Sequence, residues 1–110
     1  MVIGKTIYCR VWTKEGYYDL TYREWLNFDD ELLHREDGPA EEFTDGDRFW
    51  WQNGKQHRVD GPAVMWKVGK TEWWLNNEEL DKKIIEKWIK ENNINLETIE
   101  GQVAFKLQWS

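Results

Sequence analysis

The sequence predicts a mainly β protein with one C-terminal helix, an α+β chain built as an antiparallel meander. Three observations predict it. A 23-residue unit occurs twice in register, turn residues recur at short intervals, and one late segment changes from strand to helical periodicity.

The repeat is the strongest of the three. Displaced by 23 residues, His34–Gln56 overlies His57–Glu79 with ten identities: His34/His57, Arg35/Arg58, Asp37/Asp60, Gly38/Gly61, Pro39/Pro62, Ala40/Ala63, Gly46/Gly69, Trp50/Trp73, Trp51/Trp74 and Asn53/Asn76. Both histidines and both prolines of the chain belong to this set. Each unit reads as a β-hairpin. Thr44-Asp45-Gly46-Asp47 and Gln52-Asn53-Gly54-Lys55 are turns, and Arg48-Phe49-Trp50-Trp51 between them is strand-like. In the second unit Asn76-Asn77 replaces Asn-Gly, which asparagine tolerates.

A degenerate unit precedes these, with Trp25-Leu26-Asn27 echoing Trp74-Leu75-Asn76 and a three-residue insertion before His34. Earlier still, Lys5–Thr13 alternates Ile7, Cys9 and Val11 with Tyr8, Arg10 and Trp12, a half-buried strand, and Tyr17–Tyr22 forms the next. Leu80, Ile84, Ile85, Trp88 and Ile89 then fall at helical spacing, predicting an amphipathic helix over 80–92. Val103, Phe105, Leu107 and Trp109 alternate with Ala104, Lys106 and Gln108, predicting a closing strand. The chain is thus read as one domain, 1–110. Residues 1–24 form an N-terminal cap, 25–79 the hairpin repeats, 80–92 the helix, and 93–110 the last strand.

Bulk composition narrows the function classes. A net charge of −6 disfavours duplex nucleic acid and anionic membrane surfaces as partners. No apolar run approaches the length of a transmembrane helix, and no cleavable leader is evident at the N-terminus. A single cysteine, Cys9, forbids an internal disulfide and suits a reducing cytoplasm, a host cytoplasm if the protein is viral. No nucleophile elbow, phosphate-cradling loop or set of four Cys and His metal ligands is visible, so no enzyme, metal or cofactor is expected.

His57, Arg58 and Asp60 look like chemistry, but His34, Arg35 and Asp37 repeat them. The expectation is therefore a structural ladder of His34, Asp37, Gly38, Pro39, His57, Asp60, Gly61 and Pro62. Its Asp-Gly-Pro step is read as a kink that uses the freedom of glycine, and Arg58 is left between ladder and ligand. The Trp-Trp pairs point elsewhere. Strand neighbours face opposite sides, so one tryptophan of each pair lies away from the helix side. Trp25, Trp50, Trp51, Trp66, Trp73 and Trp74, with Arg35 and Arg58, form the candidate binding surface. The N- and C-terminal strands covering that side is the alternative.

The pattern HR-x-DGPA followed by WW-x-NG, in HREDGPA (34–40), HRVDGPA (57–63), RFWWQNGK (48–55) and TEWWLNNEEL (71–80), resembles the hairpin repeats of phage and large-virus proteins, relatives of MORN repeats. The resemblance covers about half the chain. It departs from ordinary MORN units at Arg35 and Arg58, where those carry a glycine, so their lipid binding does not carry over. It implies a short antiparallel array with a binding role. The leading functional expectation is a module docking a partner protein, on analogy with small phage proteins a host-defence inhibitor. A nucleotide-like small-ligand sponge and a structural homo-oligomer are the alternatives. The sponge requires an arginine of the motif to be free of its aspartate beside an exposed tryptophan.

Overall fold

The computed structural model describes residues 1–110 and is mainly antiparallel β with two C-terminal helices. The strands are β1 (Val2–Thr13), β2 (Gly16–Asn27), β3 (Glu41–Phe43), β4 (Arg48–Phe49), β5 (Trp51–Gln52), β6 (Lys55–Gln56), β7 (Val64–Met65), β8 (Thr71–Leu75) and β9 (Glu78–Leu80). The helices are α1 (Lys82–Glu91) and α2 (Ile99–Trp109). Seven strands form one sheet in the order β1-β2-β3-β4-β7-β8-β9, and β5–β6 is a separate small hairpin. The molecule is flat, 49 × 36 × 20 Å.

The N-terminal hairpin is longer than the alternation from Lys5 suggests. β1 and β2 pair over twelve residues each, from Val2 opposite Asn27 to Thr13 opposite Gly16. The boundary placed at 24/25 therefore falls inside β2. Only Tyr22–Glu24 of β2 pair onward with β3, so the outer half of the hairpin stands clear of the sheet as an arm.

The repeats fold as the turn residues predict. Asn53 and Gly54 take φ of 51° and 76°, and Asn76 and Asn77 take 49° and 70°. Both are left-handed pairs of the kind that tight hairpins need, and asparagine meets that need in the second unit without glycine. Backbone bonds tie unit to unit. The Trp25 and Trp50 amides donate to the Ala40 and Ala63 carbonyls, and the His34 and His57 amides donate to the Trp25 and Trp50 carbonyls. These equivalences correct the alignment of the first unit: Trp25 matches Trp50, not Trp51 or Trp74, and the insertion before His34 is two residues, not three.

The helix expected at 80–92 is α1. Leu80 belongs to β9, and Asp81 caps the helix by accepting from the Ile84 amide. The closing strand expected over 93–110 is instead α2. Its odd-numbered residues divide into two rows at helical i, i+4 spacing. Gly101, Phe105 and Trp109 turn inward, while Ile99, Val103 and Leu107 are exposed. Two interleaved rows of period four mimic one alternation of period two, and the segment reads as a strand for that reason. Thr98 caps α2 through the Gly101 amide, and Ala104, Lys106, Leu107 and Gln108 are strong helix formers.

The core lies where the helices cover one face of the last strands. Trp73, Leu75, Ile85 and Phe105 are its buried centre, flanked by Val59, Leu80, Trp88, Ile89, Leu96 and Trp109. Gly101 allows α2 its approach, since a β-carbon there would sit 1.9 Å from the Asn95 carbonyl oxygen. Gly101→Ala is expected to push the Asn95–Thr98 turn off the helix and cost about 1–3 kcal/mol, as overpacked cores do. Urea unfolding of the variant checks this, and an unchanged midpoint would mean that the turn yields freely.

Candidate functional site

The HR-x-DGPA motif builds an arginine clamp, twice. In the second copy, Arg58 lays its guanidinium 3.8 Å from the centre of the Trp50 ring. Its Nε donates to Asp60 Oδ1 at 2.7 Å, and an Nη donates to the Pro62 carbonyl at 3.0 Å. In the first, Arg35 lies 3.8 Å over Trp25, donates to Asp37 at 3.0 Å and to the Pro39 carbonyl at 3.2 Å, and reaches Glu42. The stacked face and the fixed fork suit arginine and no other side chain. Asp37 and Asp60 thus hold arginines rather than backbone amides.

The glycines serve the same clamp. A β-carbon at Gly38 or Gly61 would lie 3.0 or 2.9 Å from the arginine Cζ. Neither glycine has positive φ, so the expected use of conformational freedom is corrected: glycine is there for space. Pro39, Ala40, Gly61 and Ala63 are buried beneath the clamp, and Pro62 is half-buried.

The histidines are buried and do a backbone job. His34 Nδ1 accepts from the Asn53 amide and His57 Nδ1 from the Asn76 amide, each at 3.0 Å. They hold the left-handed turn of the hairpin. An accepting Nδ1 carries no proton, so the bond belongs to the neutral ring with its hydrogen on Nε2. Burial, and secondly the positive charge of Lys106, lower the His57 pKa from its ordinary 6.5. The unfolded chain binds the proton more readily, so this contribution to stability is complete above pH 6.5 and falls as pH drops below it. Urea midpoints compared at about pH 8 and pH 5.5 should fall on acidification, by less in His57→Gln. An equal fall in both would remove His57 as a cause.

The Trp-Trp pairs now divide. Trp50 lies under Arg58, whereas Trp73, its counterpart, lies under Phe105 of α2 with ring centres 5.7 Å apart. The series Trp25–Arg35, Trp50–Arg58, Trp73–Phe105 ends the array, with the helix supplying the cover that a further repeat would supply. Trp51 and Trp74 are turned to the other face, where their indole N–H groups donate to Glu41 and Glu72 at 2.8 and 3.0 Å. Glu72 also accepts from Trp66. Burial comes first in raising the Glu41 pKa, with Glu24 adding to it and the Trp51 bond opposing.

Most of the predicted binding surface is therefore occupied. Trp73 is buried, Trp25 and Trp50 each have a face under an arginine, and Arg35 and Arg58 are bound to their aspartates. These side chains are engaged within the array. Trp66 is left at the open face, ending a row Tyr22–Phe43–Phe49–Trp66 with ring centres 4.6, 5.6 and 5.2 Å apart. No cluster of three or more His, Cys, Asp and Glu side chains is placed to hold a metal ion. A cleft of about 660 Å³ beside Trp25, His34, Arg35, Glu36 and Asp37 offers no arginine free of its aspartate.

The chain matches no protein-family model, no curated protein and no solved structure.

Five aromatic side chains are more than half exposed, Tyr8, Trp12, Tyr17, Tyr18 and Phe28, and Trp66 is 37% exposed. Four of them stand on the free arm, Tyr8 at 79% and Trp12 at 71% exposure. Two of them are packed all the same. Trp12 packs on Tyr17 at 5.1 Å, Arg10 lies 3.9 Å over Tyr17, and Arg10 is held by Asp19 at 2.8 Å. The sequence hides this patch, because a strand of alternating aromatics reads as half-buried. No helix is long and apolar enough to cross a membrane.

Proposed function

We propose that this protein is a non-enzymatic binding module, a short MORN-like array that presents the β1–β2 arm to a partner protein. The observation that carries the reading is the exposed row Tyr8, Arg10, Trp12 and Tyr17 on one face of the arm, with Tyr18 exposed on the other. Trp, Tyr and Arg dominate protein-binding hot spots, and a rigid hairpin loses little entropy on docking. The arm's charged residues balance, Arg10 and Lys14 against Glu15 and Asp19, which favours an apolar protein surface over phosphates. The clamps serve as the rigid base that holds the arm out. The small-ligand reading loses its support, since it needs a free motif arginine.

The test uses a tagged chain to capture partners from cells of the natural source, beside a Trp12→Ser/Tyr17→Ser/Tyr18→Ser variant. Loss of two or three hot-spot residues should weaken the captured complex by about 1,000-fold or more, at about 2 kcal/mol or more each. Equal capture by both chains would sink the proposal.

A further inference from the structure

The two edges of the seven-stranded sheet differ in kind. β9 is three residues long, carries Glu78 and Glu79, and runs directly into α1. Short length and charge are how proteins guard an edge. β1 is twelve residues long, with no proline and no bulge in its pairing with β2; its two charges are Lys5 and Arg10, and Arg10 is already paired with Asp19 on β2. Every second residue of an antiparallel strand turns its N–H and C=O away from its neighbour, so β1 offers a row of unpaired backbone groups. An open edge of this length is a template for another strand.

The strand is complementary to itself. A two-fold axis normal to the sheet keeps each side chain on its own face, so odd residues meet odd and even meet even. Placed at Ile7, the axis sets Ile7 against Ile7, Ile3 against Val11, and Val2 against Trp12 of the second copy. It sets Lys5 against Cys9, Arg10 against Gly4, and Thr6 against Tyr8. Apolar residues meet apolar ones on both faces, the two cations never face each other, and Val2–Trp12 of each strand pairs in full. An axis at Lys5 or Arg10 would oppose like charges. An axis at Tyr8, with equal overlap, would set Lys5 against Val11 and Trp12 against Gly4.

We propose that two copies of the chain join through their β1 edges about a two-fold axis at Ile7, giving one continuous sheet of fourteen strands, twice the seven of each copy. The dimer lays the outer half of each β1 against the inner half of its twin, so the two arms point in opposite directions. The pairing is isologous and closes, so it yields dimers rather than fibres.

Sedimentation of the purified chain over about 1 μM to 1 mM should show twice the 13.4 kDa monomer mass at the upper end. A chain that stays monomeric throughout overturns the proposal. Register is read by cysteine cross-linking. In an Ile7→Cys/Cys9→Ser variant the two introduced thiols lie directly across the seam, within disulfide reach, and should cross-link on oxidation. Native Cys9 lies four residues out of register with its twin, about 13 Å, and should not cross-link. A native dimer joined through Cys9 overturns the register, and so does a folded Ile7→Cys/Cys9→Ser dimer that fails to cross-link. Should that variant fail to fold, amide exchange of the native chain gives the same reading. Protection of alternate β1 amides should rise with concentration, and protection independent of concentration overturns the seam. The Tyr17→Ser/Tyr18→Ser pair, on β2, should lose partner capture yet stay dimeric, so the two proposals fail separately.

Discussion

Replacing Phe105 with alanine is expected to cost about 3–5 kcal/mol, the largest effect of any single substitution here. Phe105 is fully buried, stacks on Trp73 and meets Trp88 edge-on at 6.4 Å. A domain of this size has about 5–15 kcal/mol in all, so much of its stability depends on this ring. The consequence is specific. Trp73 is the last tryptophan of the Trp25–Trp50–Trp73 series, and Phe105 is its only aromatic cover. Phe105→Ala therefore uncovers the end of the array and loosens α2 before it disturbs the arm. Chemical unfolding measures the loss, and tryptophan emission should shift to the red. A loss under about 1 kcal/mol would mean that α2 is not the array's cap.

Arg58→Ala should cost about 2–4 kcal/mol, combining a partly desolvated cation–π contact with two charge-assisted hydrogen bonds. It leaves Asp60 without its cation and the Pro62 carbonyl without its donor. Arg58→Lys should recover less than half of this, because an ammonium cannot stack flat on Trp50 and serve both acceptors. Thermal melts of the three proteins give the order native, lysine, alanine. Lysine matching arginine would reduce the clamp to its charge alone.

The repeat array is legible in the sequence because its scarce residues recur in register and its turns need particular residues. His34, His57, Asn53 and Asn76 recur together because they touch: each histidine holds the turn of its own hairpin. The arginine stack is not legible. A Trp-Trp doublet offers two registers one residue apart, and only the backbone bonds of Trp25 and Trp50 choose between them. α2 passes for a strand because Gly101, Phe105 and Trp109 interleave with Ile99, Val103 and Leu107. The arm is hidden for another reason. Burial depends on what else reaches a strand, and β1 has nothing on its outer side.

On the proposed function labour is divided, with the conspicuous motif as scaffold and the arm as contact surface. This division is tested most directly by measuring stability and partner binding together for Arg58→Ala and for the Trp12/Tyr17/Tyr18 serine variant. Arg58→Ala is expected to lower the melting temperature while retaining binding at a temperature where it remains folded. Compared at a concentration where the chain is monomeric, the arm variant should keep its melting temperature and lose binding. The reverse, binding lost in Arg58→Ala with stability unchanged and retained in the arm variant, would contradict it.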